Sequence, residues 1–390
     1  MSQNDRDRYL RGGALSWMLA VTQVVLGARV VWRLLRPADP PIRPAAAPPT
    51  SIGVVVPVLN EANRLSPCLD GLVQQGPEVR EILVVDTGSH DGTCALAKAY
   101  TARDPRVRLL EAGPPPAGYN GKVWGLAAGE QRLHPLADWL LMLDADVRPA
   151  PGLAASLVAR ATERDVAVLS VATAQRIAGR LQGILHPALL ATLVYRRGVP
   201  GRTTSSPTAV LANGQCCLIR RDLLPRIGRL DSEPVRRSLC EDVTLARLAA
   251  RAGYAVGFYE APGLVEASMY TDWREAWHNW PRSLVMRDAE FALGDWLGLL
   301  EVVLVQALPL WLMLLPVRRR LRQLNLILLA ARIGVLAGMA RAYPSRPWTY
   351  WLSPLADLPA AFALWRSVFV HRQTWRGRTY ALHDGVIARV

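Results

Sequence analysis

The chain has 390 residues, enough for one sizeable globular domain and a further element beside it. Hydrophobic residues make up 51% of it and long apolar runs lie at both ends, which excludes a plain soluble enzyme and points to an integral membrane protein with a soluble middle. The formal charge of +14 gathers as arginines near those apolar runs, where anionic lipid headgroups are the simplest partner; no basic helix interleaved with aromatics suits nucleic acid, and none is expected to bind.

In chain order, residues 1–36 begin polar and turn apolar from Gly12 to Val31, with Trp17 and Trp32 placed for membrane interfaces and Arg29 placed to snorkel. The run is long and no A-x-A-like cleavage site follows closely, so a retained anchor is expected rather than a signal peptide. Residues 37–50 then read as a stiff Pro/Ala-rich linker outside any core. From residue 51 the pattern changes. Ile52 to Pro57 is a β-branched run that ends in Val58-Leu59-Asn60-Glu61, a helical stretch covers Asn63 to Val73, and Glu81 to Val85 is a second apolar strand ending at Asp86. Continuous apolar strands alternating with helices predict an α/β fold, a mostly parallel sheet with helices on both faces. Ligands of such sheets bind at the carboxyl ends of the strands.

A turn-rich loop from Thr87 to Thr93 leads into a helix, and a third strand, Val107 to Leu110, leads to a Gly- and Pro-rich loop ending in Asn120-Gly121-Lys122 ahead of a helix from Val123 to Gly129. A lysine at a helix start opposes the helix dipole unless a phosphate sits between the two; the plainer reading is an exposed side chain. Leu140 to Leu143 deliver Asp144 and Asp146, spaced i and i+2, to one face of a strand end. Such a pair suits a hard divalent cation that also holds phosphates, although Asp is common wherever a strand runs into a turn.

Leu181 to Tyr195, followed by Arg196 and Arg197, is too short to span comfortably and very apolar, and reads as an interfacial helix dipped into the headgroup layer or else as a core helix. Glu241 and Asp242 precede a helical run, Val243 to Ala252, where acids are favoured in any case. Residues 291–371 hold three apolar runs, Trp296 to Val317, Leu324 to Ala340 and Trp348 to Val370; Glu301, Arg332, Asp357 and Arg366 within them must face protein, pair or lie at an interface. Residues 372–390 form a tail. The five cysteines are odd in number with no C-x-x-C pair and read as reduced, and the six histidines form no zinc-type pair.

The runs P-V-L-N-E (57–61), V-V-D-T-G-S-H-D-G-T (84–93), N-G-K-V-W-G (120–125) and L-D-A-D (143–146), continued by Asn213 to Arg221 and Cys240 to Val243, resemble a family-2 glycosyltransferase of the GT-A fold. The resemblance covers roughly residues 50 to 290, within an expected catalytic domain of 51–290. Each motif alone is weak; their order is what makes the set specific. The resemblance implies that Pro57, Asn60, Glu61, Asp86, Lys122, Asp144, Gly214 and Gln215 bind a UDP-sugar, that Asp146 binds Mn²⁺ or Mg²⁺ bridging the diphosphate, and that Asp242 is the base that deprotonates an acceptor hydroxyl in an inverting displacement. One departure stands out. In place of the Q-x-x-R-W run of polysaccharide synthases the chain has Asn279-Trp280-Pro281-Arg282-Ser283, which keeps only Arg282, a candidate diphosphate contact, and argues against processive polymer synthesis.

The tail Trp375 to Tyr380 and the stretch Trp273 to Asp288 resemble lipid-modifying members, the carotenoid- and hopanoid-associated enzymes among them. The expected activity is therefore transfer of a hexose to a hydroxyl of a membrane lipid such as a carotenoid, by a multi-pass protein of the cytoplasmic membrane whose catalytic domain faces the cytosol. The alternatives are a polyprenyl-phosphate, hopanoid or sphingolipid-type sugar transferase and, from another class, a non-catalytic nucleotide-binding membrane module.

Overall fold

The computed structural model describes residues 3–286, 291–375, 378–383 and 386–388. Arg287 and Asp288 of the Trp273–Asp288 stretch, and Arg376 and Gly377 of the tail motif, lie outside the described residues.

Eight strands form one sheet: β1 (Ile52–Val58), β2 (Val79–Asp86), β3 (Val107–Glu111), β4 (Trp139–Leu143), β5 (Val168–Ala172), β6 (Arg202–Thr204), β7 (Cys216–Arg220) and β8 (Val256–Glu260). Their spatial order is β3-β2-β1-β4-β7-β5-β8-β6, with β7 antiparallel to both neighbours, β6 antiparallel at the edge and the other pairs parallel. Every residue of β4 is buried, as the unbroken apolar run Trp139 to Leu143 requires of a central strand covered on both faces. Side chains of β1 divide by parity: Ile52, Val54 and Val56 pack with α2 (Leu65–Val73), α3 (Thr93–Thr101) and α5 (Leu153–Glu163), while Val55 packs with α4 (Gly121–Glu130) and α7 (Glu241–Arg251). This is the α/β arrangement expected from the sequence. α4 lies close to the sheet because Gly129 has no side chain; a Cβ there would come within 2.6 Å of Val55 Cγ1.

Two small three-stranded sheets accompany the main one, one of them in the tail, and the elements at the two ends of the chain are mostly helical. Among the described residues three helices are long and apolar enough to cross a membrane: Ala14–Leu34 of α1 (Gln3–Leu34), α9 (Leu293–Leu314) and Arg319–Ala342, which contains α10 (Arg319–Met339). α1 and α10 keep large apolar side chains facing outward, Met18, Val25, Leu326 and Ile327 among them, where a soluble helix would carry polar ones. Their polar groups pair inward. Gln23 and Asn325 exchange hydrogen bonds between α1 and α10, and Glu301 on α9 binds Arg29 at 2.7 Å and Arg33 at 2.9 Å, so Arg29 is an ion-pair partner and not a snorkelling side chain.

Two expectations are corrected and one open alternative is narrowed. The third C-terminal run does not make one spanning helix: Trp348–Ala356 is a 3₁₀ segment containing Pro354, and only Asp357–Val368 (α11) is α-helical. Of the two readings left open for Leu181 to Arg197, interfacial or core, the packing favours the core helix. α6 (Gly179–Arg197) is enclosed by α8 (Trp273–Val285), α11, the 3₁₀ segment and the apolar helices, and His186 at its middle stacks on Trp280 at 3.8 Å and bonds the Tyr343 hydroxyl at 2.9 Å. A helix that binds a neighbour through so many internal contacts is a core element between the sheet domain and the apolar helices. Residue range 37–50 also does not lie wholly outside the core: Ile42 is fully buried in the sheet core, its N–H donates to Glu260 O, and Asp39 N–H donates to Gly201 O, so the stiff segment is strapped along β8.

Candidate active site

The carboxyl ends of β1, β2 and β4 open on a cavity of about 1000 Å³. Asp144 and Asp146 leave β4 in a tight turn closed by Val147 N–H donating to Asp144 O, and the Asp144 N–H donates to Gln215 O at the start of β7. α7 presents Glu241 and Asp242 from its first turn, where the helix dipole favours carboxylates. Lys122, in the first turn of α4, joins the two groups: its ammonium lies 2.8 Å from Asp144 Oδ1 and 2.8 Å from Glu241 Oε1. The Lys122 amide donates to the Asn120 side chain, which caps the helix. The opposed lysine and helix dipole expected to need a phosphate are thus reconciled by two acids.

Gly214 makes this packing feasible. A Cβ there would sit 2.7 Å from Lys122 Nζ and 3.1 Å from Glu241 Oε1, while its N–H donates to Asp242 Oδ2 at 2.6 Å. Across the cavity Glu61 pairs with Arg64 at 3.0 Å.

Asp144, Asp146 and Asp242 are half-buried in the cavity wall, and the surrounding protein shifts their protonation. Burial pushes Asp146 up to about 7, helped by Asp144 and Glu61. Burial likewise raises Asp242 to about 7, reinforced by Glu241 and opposed by Lys122. Glu61 also rises to about 7, through burial that Arg64 only partly offsets. Burial raises Asp144 too, against the pull of Lys122. For Lys122 burial acts downward, but Asp144, Glu241 and Asp242 outweigh it and hold the ammonium well above the usual lysine value.

Of the residues singled out in the sequence, Pro57, Glu61, Lys122, Asp144, Asp146, Gly214, Gln215, Asp242 and Arg282 all line this one cavity. Asn60 and Asp86 do not. The Asp86 carboxylate is buried and accepts from the Gly88 and Ser89 N–H groups, and Asn60, in the left-handed region at φ 54°, accepts from His90 N–H and donates its own N–H to Ser89 Oγ. Both brace the loops that frame the cavity. Glu241 was missed as a site residue; its only sequence signal is adjacency to Asp242, since its contact with Lys122 bridges two distant helices. Tyr270, Tyr380 and Thr173 also line the cavity without having been singled out.

Residues 53–228 match the model of glycosyl transferase family 2. This segment is a glycosyl transferase family 2 domain. Its motifs from Pro57 to Gln215 therefore sit in a GT-A fold, and β8, α7 with Asp242, the apolar helices and the tail lie beyond the matched residues. A dolichyl-phosphate beta-glucosyltransferase of Trichomonas vaginalis is 36% identical over 102 residues, 24% of this chain and 28% of that protein. The glycosyltransferase AglE of Haloferax volcanii is 29% identical over 100 residues, 25% of this chain and 31% of its own. The chain thus spans less than two-fifths of the length of these curated relatives. Among solved structures, a mannosyltransferase from Pyrobaculum calidifontis in complex with GDP-Man and Mn²⁺ is 20% identical with a TM-score of 0.48, covering 89% of this chain and 99% of that one. A glucosyl-3-phosphoglycerate synthase from Mycobacterium tuberculosis, solved with Mn²⁺ and UDP, is 20% identical with a TM-score of 0.43, over 64% and 86%.

Proposed function

We propose that the protein transfers a hexose from a UDP-sugar to a membrane lipid, with inversion, at the cavity where Asp144, Asp146 and Asp242 meet. The observation that carries this reading is continuity. The cavity lined by those carboxylates is also lined by Leu34 of α1, Leu190 and Leu193 of α6, and Val335 and Met339 of α10, so one space joins the acids to the helices long and apolar enough to cross a membrane. An acceptor with an apolar body has a place to lie while its polar end reaches the acids.

The residues present fit a divalent cation. Asp146 Oδ1 is buried and has no hydrogen-bond partner among the described residues, the condition of an oxygen reserved for a cation. Mn²⁺ or Mg²⁺ can be held by one or two carboxylates, its other positions completed by phosphate and water. Bound at Asp146, the ion would offset the charge that grows on the departing UDP. Lys122 holds Asp144 and Glu241 in register, and Gly214 N–H fixes one oxygen of Asp242. The carboxylate, facing the cavity, would take a proton from an acceptor hydroxyl. Arg282, beside the cavity, contributes positive charge toward the diphosphate. The catalytic domain faces the compartment that holds the nucleotide sugar, the cytosol.

None of the relatives named above is described as acting on a carotenoid, and the proposal stops at an apolar lipid. A second reading, a polyprenyl-phosphate acceptor, is favoured by the dolichyl-phosphate relative and by Arg366 and Arg372, which line the cavity without a carboxylate partner among the described residues. Asp242→Asn separates the two. A hydroxyl acceptor needs the base, so turnover falls about 10²- to 10⁴-fold with UDP binding intact; a phosphate acceptor is already ionised, and substantial turnover remains.

A further inference from the structure

The tail beyond the apolar helices turns back onto the catalytic domain as a small sheet, β9 (Arg372–Trp375), β10 (Arg378–His383) and β11 (Val386–Ile387). It is fastened at three places around the mouth of the cavity. Arg378 Nη2 donates to Thr87 O, at the carboxyl end of β2, at 2.5 Å. Arg282 Nη1 on α8 donates to Thr374 O at 2.9 Å. Ile387 N–H donates to Arg237 O at 2.9 Å, and Arg237 Nε returns a bond to Ile387 O at 2.7 Å. The hairpin therefore reaches from the loop after β2 to α8, and Arg372, Thr374 and Tyr380 line the same cavity as Asp144 and Asp146.

Tyr380 is the informative residue. Its hydroxyl oxygen accepts from Gly121 N–H at 3.1 Å, at the start of α4 and one residue before Lys122. With that oxygen engaged, its own proton finds no acceptor among the described residues. Around it the charge is positive: Arg282, Arg372 and Arg378 have no carboxylate partner among the described residues, and Arg378 Nη1 is buried without any hydrogen-bond partner. Three uncompensated guanidinium groups and a free O–H at the carboxyl ends of the strands complement an anion rich in acceptor oxygens.

We propose that the C-terminal hairpin forms one wall of the donor pocket, with the Tyr380 hydroxyl donating to the diphosphate of the nucleotide sugar and Arg378 acting as the positioning residue that locks the hairpin against Thr87. This rests on the proposed transferase reading and adds to it a donor-binding residue some 150 positions beyond the matched domain.

The test titrates full-length protein in lipid bilayers with UDP and with uridine, which lacks the diphosphate. Tyr380→Phe is expected to weaken UDP binding about tenfold, the effect of losing one hydrogen bond to a charged group, and to leave uridine binding unchanged. Arg378→Ala is expected to match that loss and Arg378→Lys to recover part of it. Wild-type UDP affinity in both Tyr380→Phe and Arg378→Ala overturns the inference and leaves the transferase reading standing. Equal losses for UDP and uridine also overturn it, since the hairpin would then act only through the fold. Wild-type protein that binds neither UDP nor GDP removes the transferase reading and this inference together.

Discussion

Gly214 illustrates how tightly the acids are set at the scale of single residues. Its Cβ would meet the flexible end of Lys122, so Gly214→Ala costs little in fold stability but must displace the ammonium from Asp144 or Glu241. Activity is expected to fall at least tenfold while the thermal midpoint shifts by no more than a few degrees; an active Gly214→Ala would mean that the lysine bridge is dispensable. As the proposed base, Asp242 would set the pH dependence. Its carboxyl is pushed up to about 7, and the protonated form cannot accept a proton, so kcat/KM is expected to rise with pH through about 7 and level off above it. An unshifted carboxylate would give a flat profile above pH 5, so a flat profile would contradict a base raised to about 7. Asp144, Asp146 and Asp242 were legible in the sequence because each stands where an apolar strand ends or a helix begins. Asn60 and Asp86 occupy equally suggestive positions, but Asp86 and the Asn60 side-chain oxygen accept from loop N–H groups, and no local pattern reveals which way a loop side chain turns.

Elements were legible where periodicity was simple. The strands and helices of the sheet domain fall within a few residues of the expected ranges, because continuous apolar runs between turn residues leave few alternatives. The sequence leaves α6 open between interface and core, because an apolar helix looks alike whether protein or lipid covers it. Helix–helix polar pairs carry a testable load here. Arg332 on α10 makes two 2.8 Å bonds to Asp357 on α11, with Gln306 and Ser353 completing the network, and both charged side chains are buried. Asp357→Ala leaves the guanidinium buried and unpaired, a loss expected to be about 3–5 kcal/mol by thermal or denaturant unfolding, with the Arg332→Leu/Asp357→Leu double variant recovering most of it. Destabilisation no greater than 1 kcal/mol would show that water or lipid already reaches the pair. Gly129→Val tests the other face: a side chain against Val55 should lift α4 from the sheet and cost about 1–3 kcal/mol.

At the scale of the whole molecule, the arrangement joins a GT-A fold to a helical module through α6 and the tail. The composition announced both parts, and the ordered motifs announced the first. What they left hidden was long-range: the strapping of residues 37–50 along β8, the ion pairs between α1 and α9, and the return of the tail to Thr87. That return also bears on topology, since three complete C-terminal spans would carry the tail to the opposite side from the domain it touches. The account stands on the joining of acids and apolar helices in one cavity, and the most direct test is transfer of radiolabelled sugar. Purified protein in native-lipid bilayers with Mn²⁺ is given a panel of UDP-sugars, and label is followed into the organic phase beside Asp146→Ala, Asp242→Asn and EDTA controls. Label in lipid from at least one donor, abolished by EDTA and by Asp146→Ala, is the expected result, with the Asp242→Asn arm reporting the acceptor class. Metal-dependent UDP binding with no lipid label from any donor would contradict the account.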